Sequence, residues 1–105
     1  MDMDLVIKTG TKELIDTYID QLIEIDQYHF GKESWSKESF ISHLPGKFSN
    51  SLLMFKENKV VGYAIVSKKV NNFHIHRFVI CKHLTSMGYG KKLLAHLEKN
   101  VLIYL

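Results

Sequence analysis

Cysteine is nearly absent from this chain: a lone Cys81 among 105 residues excludes an intrachain disulfide and supplies no cysteine pair for a metal. Such usage fits a reducing compartment, so a cytoplasmic location is expected. No apolar run approaches the ~20 residues that a membrane helix needs. The opening MDMDLVIKTG has neither the basic start nor the apolar centre of a signal peptide. Runs of five or six like charges are also missing; the basic residues come in pairs, Lys68-Lys69 and Lys91-Lys92, which ordinarily mark solvated surface. Internal repeats, low-complexity tracts and linkers are lacking.

What is present describes one compact unit. With 46% hydrophobic and 24% charged residues, residues 1–105 are expected to form a single domain with one core. The net charge of +3 and pI near 9.0 give a mild attraction for phosphates, of nucleic acid or of a small cofactor.

The hydrophobic pattern changes period along the chain. LVIK reads as a short strand and TGT as its end, with Thr11 as a helix cap. Leu14, Ile15, Tyr18, Ile19, Leu22 and Ile23 recur on one helical face, which predicts a helix over about 12–27. A second, shorter helix follows in GKESWSKESFISHLPG: Ser36 caps it, Phe40, Ile41 and Leu44 face inward, and Pro45 ends it. From Ser51 the period is that of strands. SLLMF, the turn KENK and VVGYAIV form an antiparallel hairpin, with Gly62 marking a bulge or a close backbone approach.

FHIHRFVI supplies the next strand, in which alternation puts His74, His76, Phe78 and Ile80 on one face and Phe73, Ile75, Arg77 and Val79 on the other. Apolar groups on both faces make it a central strand. CKHLTSM then reads as a polar loop, Tyr89, Leu93, Leu94 and Leu97 as the inner face of a helix ending near Asn100, and VLIYL as a last strand. The expected order is β-α-α-β-β-β-α-β, an α/β (α+β) fold.

A strand that enters a helix through a glycine turn leaves backbone N–H groups and the positive end of the helix dipole facing outward, which is a phosphate site. Ser86, Met87, Gly88, Tyr89, Gly90 and Lys91 would line it, and Lys91 adds a full charge. A GxG before a helix is by itself an ordinary tight turn.

In context, RFVICKHLTSMGYGKKLLAHLEKN, preceded by the hairpin LLMFKENKVVGYAIV, resembles the cofactor-binding core of the GNAT superfamily of acetyl-CoA-dependent N-acetyltransferases. The family loop reads Gln or Arg, two residues, Gly, one residue, Gly or Ala. Gly88 and Gly90 fall on its glycines, and Thr85 stands at the Gln/Arg position. SWSKESFISHL is similar to the branch that acetylates ribosomal-protein N-termini, and GYGKKLLAHL to histone-acetylating members. The acceptor class therefore stays open among small molecules, peptide N-termini and lysines.

The resemblance implies a mainly antiparallel sheet flanked by helices, acetyl-CoA as co-substrate and no metal. Phe78, Val79 and Ile80 match the segment whose backbone pairs with the pantetheine arm. The residues from Thr85 to Lys91 match the pyrophosphate loop. Direct attack by an amine requires a base, an N–H for the oxyanion and an acid for the thiolate. Counting back from the glycines puts His74 at the position of the base, with His76 as second candidate. Trp35 is read as core packing rather than as a substrate wall, and Cys81 as a strand-end packing residue.

Family members normally continue past VLIYL with a helix and two strands, so the chain reads as a C-terminally shortened member, and Tyr104 is given no catalytic role. Acetyl transfer to a primary amine is the expected function, with a non-catalytic acyl-CoA-binding module or degenerate fragment as the alternative. Pairing of two copies through VLIYL or the neighbouring edge is expected, because an apolar strand edge would otherwise be exposed. Neither a membrane nor a nucleic acid is expected as a partner.

Overall fold

The computed structural model describes residues 5–102, with side chains described through Lys99. Four strands form one antiparallel sheet in the order β1-β2-β3-β4: β1 (Leu5–Thr9), β2 (Leu52–Lys56), β3 (Lys59–Lys69) and β4 (Asn72–Ile80). Helices α1 (Lys12–Thr17), α2 (Ile19–Phe30), α3 (Lys37–Ile41) and the single turn α4 (Lys47–Asn50) lie between β1 and β2. Helix α5 (Tyr89–Leu102) follows β4 through a 3-10 segment, Lys82–Met87.

Side-chain period decides what covers each face. Ile15, Leu22 and Phe40 from the first helices bury Leu53, Tyr63, Ile65 and Val79 on one side of the sheet. Tyr89, Leu93 and Leu97 of α5 bury Leu52, Met54, Ala64, Val66 and Ile80 on the other. The two expected caps are present: the Thr11 hydroxyl accepts from Leu14 N at 3.1 Å and the Ser36 hydroxyl from Ser39 N at 3.3 Å.

Several boundaries differ from the sequence reading. The helix expected over 12–27 is two helices that break at Tyr18 (φ −105°, ψ 20°) and run on to Phe30. Helix α3 stops at Ile41, before Pro45. The KENK turn narrows to Glu57 and Asn58, both with positive φ (52° and 66°), a two-residue turn whose twist matches that of its strands. CKHLTSM is a 3-10 segment rather than an open loop. Helix α5 continues through Asn100 to Leu102, so the first two residues of VLIYL are helical; Ile103–Leu105 lie outside the described residues. No strand is therefore seen after α5 among the described residues, and β4, expected to be central, is an edge strand there.

Two register slips shape the sheet. Met54 pairs with Gly62 while Phe55 pairs with Val60, which leaves Val61 as an extra residue on β3. Beside this bulge, a Cβ on Gly62 would stand 2.8 Å from both the Val79 carbonyl oxygen and Ile80 Cδ1, so both expectations for Gly62 are met. Gly62→Ala should therefore destabilise the fold by about 1–3 kcal/mol in urea unfolding, the usual range for overpacking. An unchanged midpoint would show that β3 and β4 can part at this point. The second slip leaves His76 unpaired between Ile65↔Arg77 and Val66↔Ile75.

Candidate functional site

The bulge at His76 re-aims β4. Phe73 and Ile80 are seven residues apart, yet both pack on the α5 side, which strict alternation forbids. The faces read from the sequence are thus corrected. His76 turns toward the face covered by α1–α3, where its Nε2 lies 2.8 Å from Ser67 Oγ, and its ring is 4.3 Å from that of His74. His76 is half-buried and His74 exposed. Burial first, then the charges of His74 and Lys47, lower the His76 pKa below the ordinary imidazole value.

Beyond the bulge, hydrogen-bond alternation fixes which backbone groups face outward. Cys81 N donates to Val61 O at 2.9 Å, in the same register that pairs Ile80 with Gly62, Val79 with Tyr63 and Phe78 with Ala64. In an antiparallel ladder bonded and non-bonded pairs alternate. Val79 therefore bonds to β3, while the N–H and C=O groups of Phe78 and Ile80 point to the free edge. The Val79 side chain is buried in the helical-side core, and the Phe78 side chain is exposed.

The strand leads directly into the glycine turn. Gly88 adopts the left-handed conformation (φ 77°, ψ 9°), with nothing within 4 Å of where a Cβ would stand. Lys92 N bonds to Gly88 O at 3.2 Å, so the N–H groups of Tyr89, Gly90 and Lys91 occupy the first turn, where helix geometry provides no acceptor. A Cβ on Gly90 would meet Ile80 Cγ1 at 3.8 Å, which seats the helix N-terminus over the end of β4. Thr85, Ser86, Met87 and Lys91 are exposed. The Thr85 hydroxyl is committed to Lys82 O at 2.9 Å. The Tyr89 side chain is buried, its hydroxyl accepting from Lys56 Nζ at 3.0 Å. Tyr89 can thus contribute only its main chain.

A buried polar cluster was not foreseen. Asp26 is fully buried; its Oδ1 accepts from Tyr63 Oη at 2.6 Å and Arg77 Nε at 3.1 Å, and its Oδ2 from Trp35 N at 2.6 Å. Burial foremost, then the bond to Asp26, pushes the Tyr63 phenol far above its ordinary pKa. The signal was legible: Ile15, Ile19, Leu22 and Asp26 follow one helical face, and the last is an acid at a core position. Lys47 was also missed. It is buried, donates to the carbonyls of Ser39 (3.0 Å) and Ser42 (2.8 Å), and faces the rings of Phe48 and Trp35. Burial lowers its pKa to about 8.

A cleft of about 660 Å³ lies beside the end of β4, lined by Glu24, Ile25, Tyr28, His29, Cys81, Lys82 and His83. Burial raises the Cys81 pKa, so the thiol there is a poor nucleophile. Among the described residues no helix is long and apolar enough to cross a membrane, and no three His, Cys, Asp or Glu side chains are grouped to hold a metal. The free edge of β4 and the helix N-terminus together form a continuous main-chain surface that can pair with an extended amide-bearing chain and then bind its phosphates.

Residues 12–102 match the profile of the acetyltransferase (GNAT) family. No curated protein matches the chain by sequence. Among solved structures, an aminoglycoside 6′-N-acetyltransferase complexed with coenzyme A superposes with a TM-score of 0.78 at 16% identity, over 94% of this chain and 56% of that one. Ard1 from Thermoplasma volcanium gives 0.73 at 18% identity, over 90% and 62%. The ribosomal-protein-S18-alanine N-acetyltransferase of Escherichia coli gives 0.69 at 18%, over 91% and 61%. At such identities the likeness shows the fold. The chain spans less than two thirds of the length of each of these three proteins.

Proposed function

The chain belongs to the acetyltransferase (GNAT) family, and from that premise we propose that it transfers an acetyl group from acetyl-CoA to a primary amine by direct attack. The observation that carries this reading is the junction at Ile80, where the free edge of β4 meets the N-terminus of α5 under Gly90. The residues present fit the cofactor. Phe78 and Ile80 offer edge N–H and C=O groups to the two amides of a pantetheine arm. The open approach at Gly88 and the N–H groups of Tyr89, Gly90 and Lys91 suit a pyrophosphate, with the Lys91 side chain adding charge.

When bound, acetyl-CoA supplies the acyl thioester. An N–H on the free edge, such as that of Phe78, stabilises negative charge developing on the acyl oxygen. His76, or His74 beside it, takes the proton of the attacking ammonium. Each of these two histidines lies on the α1–α3 face of β4, so an acceptor approaching them is kept apart from phosphates at the α5 terminus on the opposite face.

Retention of acyl-CoA without transfer stays as the second reading, because the main-chain groups of Phe78, Ile80 and the α5 terminus that would hold the cofactor act without either histidine. A second copy of the chain remains a proposed partner, with Ile75 and Phe78 leaving apolar surface along β4; a solution mass of one chain by light scattering would remove it. A cytoplasmic location is kept as part of the proposal, to be checked by fractionation.

Calorimetric titration of the folded chain with CoA, followed by a screen of amines, peptide N-termini and polyamines with free-thiol detection, tests the assignment. The expected result is heat with CoA and thiol release with at least one acceptor. Absence of heat sinks both readings and returns nucleic acid to consideration. Heat without thiol release supports the second.

A further inference from the structure

Arg77 stands in sequence between the bulged His76 and Phe78, the first residue beyond the bulge whose backbone faces the free edge. Its side chain reaches back across the sheet to the segment that links α2 to α3. Nε donates to Asp26 Oδ1 at 3.1 Å, and Nη2 lies 3.4 Å from Asp26 Oδ2 and donates to Glu33 O at 2.7 Å. The guanidinium lies between two rings, 4.0 Å from the centroid of Phe30 and 4.7 Å from that of Trp35. Asp26 closes the circuit by accepting from Trp35 N. Asp26 is fully buried and Arg77 is 14% exposed.

We propose that Arg77 is a positioning residue: its guanidinium fastens the segment Gly31–Ser36 to β4 and so fixes a wall anchored beside the bulge at His76. The inference rests on the acetyl-transfer reading for its consequence, though not for its geometry. Two features require arginine. The planar fork addresses a side-chain carboxylate and a main-chain carbonyl together, and the flat cation lies over two rings. Lysine preserves only the charge. The bolt is anchored next to the bulge, so its loss displaces the α2–α3 segment relative to His76. The outward N–H and C=O groups of Phe78 and Ile80, held by the β3 ladder, stay in place.

Trp35 is the sole tryptophan, which makes the segment directly readable. In Arg77→Lys and Arg77→Met, acrylamide quenching of Trp35 fluorescence should rise about twofold or more as the stacked cation is lost. CoA affinity should stay within about twofold, while kcat for the amine falls about tenfold, the penalty of a displaced wall. Far-UV circular dichroism confirms that each variant is folded; if Arg77→Met is not, Arg77→Lys carries the test. Unchanged quenching in a folded variant overturns the proposal, as does a CoA affinity that falls in step with kcat, because a general loss of structure would do that. If the wild-type chain binds no CoA, the functional reading fails by itself, and the quenching of Trp35 still decides whether Arg77 holds the segment.

Discussion

Replacement of His76 by alanine should lower acetyl transfer to a primary amine ~100-fold or more, the usual cost of one positioned base, with CoA affinity nearly unchanged. The reason is the orientation of the ring. His76 Nε2 shares a hydrogen bond with Ser67 Oγ at 2.8 Å; in the tautomer that donates there, Nδ1 keeps its lone pair for the ammonium proton, with the serine as the group that orients the base. The working form is the neutral imidazole. Burial and the charges of His74 and Lys47 lower its pKa, so activity should fall only as the pH drops through a value below the ordinary ~6.5, with a plateau near neutrality. His74→Ala removes one of the charges that depress this pKa. Its acid limb should therefore move upward toward the ordinary value, with a smaller loss of plateau rate. The opposite ranking, with the large loss in His74→Ala, would give the role to the residue that counting back from the glycines indicates. Equal, small losses would assign the base to neither.

Gly88→Val should weaken CoA binding about 10- to 100-fold, because charge-assisted hydrogen bonds to main-chain N–H groups contribute ~1.5–3 kcal/mol each and a branched side chain would stand in their approach. It should also lower the melting temperature. At φ 77° an L side chain is strained by about 1–2 kcal/mol, and valine tolerates that region least. Gly90→Val separates the two effects. Gly90 carries no positive φ, and the nearest atom to its Cβ position is Ile80 Cγ1 at 3.8 Å. Its stability should change little while its affinity falls. Calorimetry and thermal unfolding of the two variants decide the matter. Full affinity in both would reduce the glycines to a turn and would leave the helix terminus without a phosphate.

How much of this was written locally can be followed residue by residue. The caps at Thr11 and Ser36 were legible because a hydroxyl reaching an N–H three residues on is a short-range event. The helical face of Ile15, Ile19 and Leu22, the β2–β3 hairpin and the glycine turn before α5 were legible for the same reason: period and turn chemistry act within a few residues. The break at Tyr18 and the continuation of α5 past Asn100 were not. Tyr18 packs edge-on against Phe55, and packing overrides a weak local preference.

The site divides in the same way. The half proposed for phosphate is encoded in a contiguous stretch, Thr85 to Lys91, and could be read in one dimension. The half proposed for the acceptor is assembled from distant positions. His76 faces Ser67 because one residue is left over where β3 and β4 pair, and no period of two contains that slip. Asp26, Tyr63 and Arg77 meet across as many as 51 residues of chain. An acid on a helical core face announced that some partner must exist, since a buried carboxylate needs one, but its identity depended on sheet order and register. Local sequence thus determined most of the elements and the glycine turn; tertiary structure alone decided which face His74 and His76 present and what holds them there. Side-chain direction on a strand follows from register, and register is a property of two strands together.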